Sequence, residues 1–354
     1  MRKMRLFLLA IVTAALLLDV QAAGCTTFVL KQDRSLLFGR NFDFCSGVAF
    51  VTVNSRGVTK TAFGVDSDRP FSWTAAYGSV TFNQVAKYFP YDGMNEAGLV
   101  VAQMMNEQSR YSPPDARPGL TELQWIQYQL DTNRSVAEVL ASDERVRILD
   151  HSVPLHFLVL DRSGDAAAIE WLGGKRVVHR GSDLVAAVLT NDPYLQDLAF
   201  SRPFIENGKT AEIPAGPSSE ARFARAAAGV LKFKDEKNRP AYECAFTILG
   251  DVSNRGTRYS AVYDPLNLEV YFRSEKNPAI RKIMLKSFDF SCPASNIFAD
   301  IHKAVASAKD FEPFTLETNR FYLEKLLAEC EFLRAVLAGI KEQTIEYMAS
   351  ATCE

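Results

Sequence analysis

Cys25 stands in the stretch DVQAAGCTTFVL, residues 19–30, between an apolar leader and a run with strand character. A cysteine at such a junction has four chemical uses. It can be a disulfide partner, a lipid attachment point, a core thiol, or a nucleophile that becomes active once the Gly24–Cys25 bond is cut. Cutting leaves a thiol and a free α-amine on one residue. An α-amine titrates at about 7.7–8.0, so a sizeable fraction is neutral near neutral pH. It can take the thiol proton and pass it to a leaving amine, with no histidine needed. Such a nucleophile needs a cation to favour the thiolate, a carboxylate to hold the amine, and donors for an oxyanion. The stretch GRNFD, residues 39–43, holds Arg40 and Asp43. An ideal strand points these two to opposite faces, so both reach one site only if the strand ends or bends near Asn41–Phe42. On this stretch alone a surface ion pair beside a turn is the simpler reading.

A separate Cys–His pair finds little support. His151 and His156 flank the proline of HSVPLH, unlike the helical pairs of zinc sites. His179 lies in the alternating run RVVHR, and His302 opens a helical stretch. Each reads as a core or surface histidine. HExxH, Walker, GxGxxG and GxSxG motifs are absent from the sequence. No cofactor is called for.

The leader has the three parts of a secretory signal. Arg2, Lys3 and Arg5 precede the 13-residue apolar run LFLLAIVTAALLL, and Ala22, Ala23 and Gly24 form the cleavage site. The run is short for a membrane span. Residues 1–24 are therefore expected to be a signal peptide removed by signal peptidase, which exports the chain to a bacterial periplasm or beyond. The competing reading is a lipobox in AAGC, with Cys25 lipidated and the protein a tethered, non-catalytic module. Ala22 stands where that motif usually has Leu, and an acylated amine is no base. The chain has 354 residues, 47% hydrophobic and 23% charged, enough for a full core. A net charge of −2 provides no basic field for nucleic acid. Six cysteines are scattered without the spacing of a stapled mini-domain or a CxxC site. If Cys25 stays free, the other five cannot all pair within the chain.

The elements that must position these residues begin with TTFVL and LLFGRNFDF around the turn KQDRS. VAFVTV and VTKTAF flank NSRG, which reads as a hairpin turn. Helical patterns follow in LTELQWIQYQL, residues 120–130, and in SVAEVLAS, whose Ser135 and Glu138 have capping-box spacing. PLHFLVLD, AAAIEWL and LVAAVLTN read as strands, residues 219–233 as a helix, and TRYSAVYDPLNLEVYFRS as a hairpin turning at DPLN. The tail from 316 to 348 carries Leu323, Leu326, Leu327, Cys330, Leu333, Leu337 and Ile340 at helical spacing. Its stripe fits core packing first and a homo-oligomer interface second. No linker divides residues 25–354, so one domain is expected. Hairpin blocks alternating with helices suggest helices packed on antiparallel sheets.

Five stretches in order, CTTFVL, LLFGRNFDF, FPYDGMNEAGLVV, VLTNDPY and SSEARFARA, resemble the choloylglycine hydrolase and penicillin V acylase family of linear-amide C–N hydrolases. This family lies within the N-terminal-nucleophile hydrolases. The resemblance covers roughly residues 25–275, and YGSVTFNQ and ARPGLTELQWIQYQLDT make it strongest to the bacterial, signal-bearing branch. It implies an α+β fold: a four-layer αββα sandwich of two antiparallel sheets between helices. It also implies hydrolysis of an N-acyl amide through a thioester. By position, Cys25 matches the nucleophile and Arg40 the arginine beside the thiol. Asp43 matches the aspartate that orients the amine, Asn191 the asparagine stabilising the tetrahedral intermediate, and Arg222 the second arginine. Without the family, Asn191 is an ordinary turn residue before Asp-Pro and Arg222 an ordinary helix-face cation. One position departs: counted without gaps, the oxyanion-site asparagine of bile-salt hydrolases falls at Met105, with Asn106 beside it. A one-residue slip in a strand reverses the face, so a backbone N–H is the alternative second donor. Penicillin V, conjugated bile salts and N-acyl homoserine lactones are the substrate types the family suggests. Acyl transfer to another amine would use the same thioester. Phe42, Phe44, Trp73, Tyr77, Phe82 and Met105 are candidates for an apolar acyl pocket, each equally suited to the core.

Overall fold

The computed structural model describes residues 24–64, 70–234, 236, 238–292 and 296–353. The expected signal segment lies outside them except for Gly24. Strands β1 (Thr26–Gln32) and β2 (Ser35–Asp43) form the first hairpin. Its turn places Asp33 at φ 47°, a left-handed conformation that a short polar side chain tolerates. Eight of the nine β2 residues are buried, as expected for a strand covered on both faces.

That hairpin sits inside a six-stranded antiparallel sheet. Its order is Val188–Leu189, β1, β2, Thr257–Asp264, Glu269–Ser274, Asn277–Met284. The second sheet has nine strands and is also antiparallel. It runs Lys175–Arg180, Ala166–Leu172, Leu155–Leu160, Val100–Met105, Pro90–Asn95, Ser79–Asn83, Phe50–Asn54, Ile297–Asp300, Glu312–Pro313. The sheets meet face to face through Phe82, which stacks on Tyr259 at 5.1 Å between ring centroids, and through Arg40 and Asp92. Helices Ser219–Phe233 and Ala241–Asp251 cover β1 and β2, and Glu122–Thr132 covers the second sheet. The fold is thus the α+β, αββα sandwich expected.

Several local expectations need correction. NSRG does not turn a hairpin, because Phe50–Asn54 belongs to the nine-stranded sheet. Val58–Thr61 pairs instead with Ser72–Thr74 and Thr352–Cys353. Phe50–Asn54 is wholly buried and needs a partner on each side, which Ser79–Asn83 and Ile297–Asp300 supply. The tail is not one helix but three, Leu316–Glu329, Glu331–Val336 and Lys341–Glu346. Cys330 is extended at the first break, at φ −126° and ψ 100°, and bonded to Cys45. Gly339 takes φ 87° at the second. His302 lies in a turn rather than at a helix start, held by Ser274 and the Gly47 carbonyl. Cys292 pairs with Cys353, while Cys25 and Cys244 are free and buried.

Candidate active site

β1 begins beside Cys25, and β2 runs antiparallel to it with Thr26 opposite Asn41. This register lays Arg40 and Asp43 next to the cysteine. Arg40 Nη2 lies 3.9 Å from the Cys25 Sγ, and the thiol faces the Asp43 carbonyl at 3.7 Å. β2 ends at Asp43, so strict alternation need not carry past Phe42. Its partner strand Thr257–Asp264 inserts one extra residue, Arg258, between those facing Phe42 and Asp43, and such a bulge bends the strand that carries it.

All three side chains are buried. Burial pushes the Cys25 thiol up, and the Arg40 charge pulls against it. Burial alone would lower Arg40, but the neighbouring thiol and Asp92 more than offset it and keep the guanidinium charged. Its Nε donates to Asp92 Oδ2 at 2.8 Å. Asp92 also accepts from Tyr259 at 2.6 Å and from Tyr263. Burial raises the Asp43 carboxyl to about 6, against the pull of Thr257, Arg222, Asn254 and Arg40. Asn254 Nδ2 donates to Asp43 Oδ2 at 2.5 Å, whereas Asp43 Oδ1 is buried with no hydrogen-bond partner among the described residues. A buried carboxylate oxygen in that state is poised for a cationic donor.

Arg222, on the helix Ser219–Phe233, reaches across β1. It donates to the Cys25 carbonyl, to Thr26 Oγ1 at 2.8 Å and to Asn191 Oδ1 at 2.8 Å. Asn191 Nδ2 in turn donates to the Met105 carbonyl at 2.8 Å. The backbone is continuous through Gly24, and a Cβ there would lie 2.1 Å from Arg222 Nη2. Only glycine fits against the guanidinium without displacing it. Over the thiol opens a cavity of 620 Å³, whose walls include Cys25, Asp43, Phe42, Phe44, Met105 and Asn191.

The structure therefore gathers Cys25, Arg40, Asp43, Asn191 and Arg222 at one place, and Phe42, Phe44 and Met105 at the cavity. The other pocket candidates belong elsewhere. Trp73 donates to Asp131 at 2.8 Å and packs on Phe71 and Tyr128. Phe82 is the inter-sheet core, and Tyr77 is held by its backbone to the Asp131 carbonyl. Asn106 does not line the cavity: it is fully buried, and its Nδ2 meets His156 Nδ1 at 3.3 Å. The one-residue offset has turned it away.

A polar network behind Asn191 escapes sequence reading. Glu170 contacts His156 at 2.9 Å and His179 at 3.3 Å, and His156 Nε2 donates to the Thr190 carbonyl at 2.7 Å. Burial pushes Glu170 up, but the two histidines outweigh it and hold the carboxyl down at about 2. Thr190 Oγ1 donates to Asp197 at 2.5 Å, and Ser219 Oγ accepts from the backbone of Asn191 at 2.9 Å. Both flanks of Asn191 are thus fixed. The alternation of PLHFLVLD and AAAIEWL puts His156 and Glu170 on known strands, but their pairing depends on sheet register.

Residues 25–205 match the family model for linear amide C–N hydrolases of the choloylglycine hydrolase family. The chain belongs to that family. It is 29% identical over 265 residues to a penicillin V acylase of Pectobacterium atrosepticum, covering 62% of this chain and 69% of the relative. Among solved structures it is similar to penicillin V acylase from Agrobacterium tumefaciens, at a TM-score of 0.72 and 25% identity. That match covers 82% of this chain and 98% of the other. A mutant of the conjugated bile acid hydrolase from Clostridium perfringens shares the fold, at a TM-score of 0.65 and 19% identity over 80% and 98% of the two chains. The protein is a linear amide C–N hydrolase of this type.

Proposed function

We propose that the chain is an exported acylase whose nucleophile is Cys25, released by cleavage of the Gly24–Cys25 bond. The observation that carries this reading is a buried thiol faced by Arg40 Nη2 at 3.9 Å and by the Asp43 carbonyl at 3.7 Å. Cleavage would turn the Cys25 amide into an amine, for which the Asp43 carboxylate, with Oδ1 unpartnered among the described residues, is the proposed partner. The amine takes the thiol proton as Sγ attacks the amide carbonyl, and Asn191 Nδ2 with a backbone N–H stabilises the oxyanion. The C–N bond then breaks, the amine returns the proton to the leaving nitrogen, and an acyl thioester remains. Water attacks the thioester with the same amine as base, which releases the acid and restores the thiol. Substrates are N-acyl amides of the penicillin V, conjugated bile salt or N-acyl homoserine lactone type. Export is supported by the leader and by two disulfides, which persist in oxidising compartments.

The test is to express the chain with its leader, take the intact mass of the product, and assay amine release from the three substrate types. A product beginning at unmodified Cys25 is expected. Cys25→Ala is expected to abolish turnover with the fold kept, and Cys25→Ser to turn over far more slowly, a hydroxyl being the poorer nucleophile. Turnover by correctly processed C25A, or a lipid mass increment on Cys25, overturns the proposal.

A further inference from the structure

The cavity over Cys25 has two kinds of wall. Near the thiol the sheets supply it, with Phe42 and Phe44 at the end of β2 and Met105 and Leu155 from the second sheet. The rest includes side chains of the C-terminal tail: Phe332, Leu333, Val336, Leu337 and Ile340. This tail is fastened to the catalytic strand. Cys330 is bonded to Cys45, just beyond Asp43, and Ser46 Oγ donates to Glu329 Oε2 at 2.6 Å. The Phe332 ring meets Phe44 edge-on at 6.3 Å, and Phe44 meets Phe42 at 5.5 Å. Farther along the tail from this anchor, Val336 and Ile340 are 40% and 37% exposed although both border the cavity. Large apolar side chains left wet at an apolar cavity gain most from an apolar occupant that covers them.

We infer that tail residues 330–340 form a wall of the acyl site, and that Val336 and Ile340 are specificity residues selecting extended apolar acyl chains. This rests on the acylase reading above. On this inference an acyl group whose carbonyl lies at Cys25 covers Val336 and Ile340 when it is long. A compact acyl group leaves them wet. The Cys45–Cys330 bond holds the wall in register with the thiol, since Arg40, Asp43 and Cys45 belong to one continuous stretch of chain.

The test uses the full mature chain in two assays. Calorimetry measures binding of straight-chain carboxylic acids of rising length, the acid being the product of any N-acyl amide. Amine release from the matching N-acyl glycines provides kcat/KM. Affinity and kcat/KM are each expected to rise about fourfold per added methylene until the chain passes the wall. Val336→Asp and Ile340→Asp are expected to flatten that slope. Val336→Ala and Ile340→Ala, milder changes at exposed positions, are expected to reduce it, and the double variant C45A/C330A to weaken it in the same direction. Binding that is undetectable or independent of chain length, or slopes unchanged in all of these variants, overturns the inference. Chain-length-dependent binding without amine release from any N-acyl glycine or from the three substrate types would sink the acylase reading and leave the wall standing.

Discussion

At Asp43, burial opposes the charge that the proposed mechanism needs. A carboxyl raised to about 6 is ionised at neutral pH and loses its charge as the medium falls below that value. The ammonium that the proposed cleavage would free at Cys25 would pull the value downward. The acid limb of kcat/KM is therefore expected at or below about pH 6, checked by a rate profile from about pH 4 to 9. A limb centred above neutrality would assign it to another group. Glu170 has the opposite sign. Its folded carboxyl is held at about 2, below the ordinary 4.5, so its stabilisation is complete above the ordinary value and fades as pH falls toward 2. A shift of that size corresponds to roughly 3 kcal/mol. Glu170→Gln is expected to lose on the order of that amount in urea denaturation at neutral pH, with the gap to the parent narrowing near pH 3. An equal gap at both values would show that packing, not charge, is what Glu170 provides.

Among the elements, the β1–β2 hairpin was legible because apolar runs, a polar turn and the length of each strand all point the same way. The bulge opposite Phe42 was legible only as a demand of the chemistry, since its extra residue lies on a strand more than two hundred residues away. The helices Tyr194–Glu206 and Ala241–Asp251 went unread. The signals available were Pro193 and Pro240 at their starts, obscured in the first by Pro203 inside the helix. Asn106, one position past Met105, lies off the cavity, the outcome to which strand alternation pointed. Gly39 shows how tightly the hairpin is packed: a Cβ there would lie 2.3 Å from the Phe28 ring. Gly39→Ala is expected to cost about 1–3 kcal/mol and to lower kcat by shifting the adjacent Arg40. A thermal melt and a steady-state assay on the same preparation check both. A stable variant with full kcat would mean that Phe28 yields freely.

For the whole molecule, the order of elements pointed to helices packed on antiparallel sheets and the family resemblance to the four-layer sandwich, whereas the joining of its two ends did not show. Cysteine pairing depends on which distant segments meet, and spacing carries no trace of it. Cys292–Cys353 fastens the end of the tail, with Thr352–Cys353 paired to Val58–Thr61. C292A/C353A is expected to lose about 2–4 kcal/mol of stability, read by denaturant unfolding of parent and variant under non-reducing conditions. Equal midpoints and slopes would show that strand pairing alone secures the terminus. The solved penicillin V acylase is matched over 98% of its length but over only 82% of this chain. Part of this chain therefore has no counterpart there.

Arg40 faces the thiol with one nitrogen and binds Asp92 of the opposite sheet with another, while Tyr259 and Tyr263 close around the same carboxylate. Removing the arginine leaves the buried Asp92 without its ion-pair partner, a loss of about 3–5 kcal/mol. Selection for folding alone is then enough to retain it. On the proposed mechanism, a descendant of this gene that had abandoned the reaction is expected to keep Arg40 and drift first at Cys25, whose thiol makes no comparable bond.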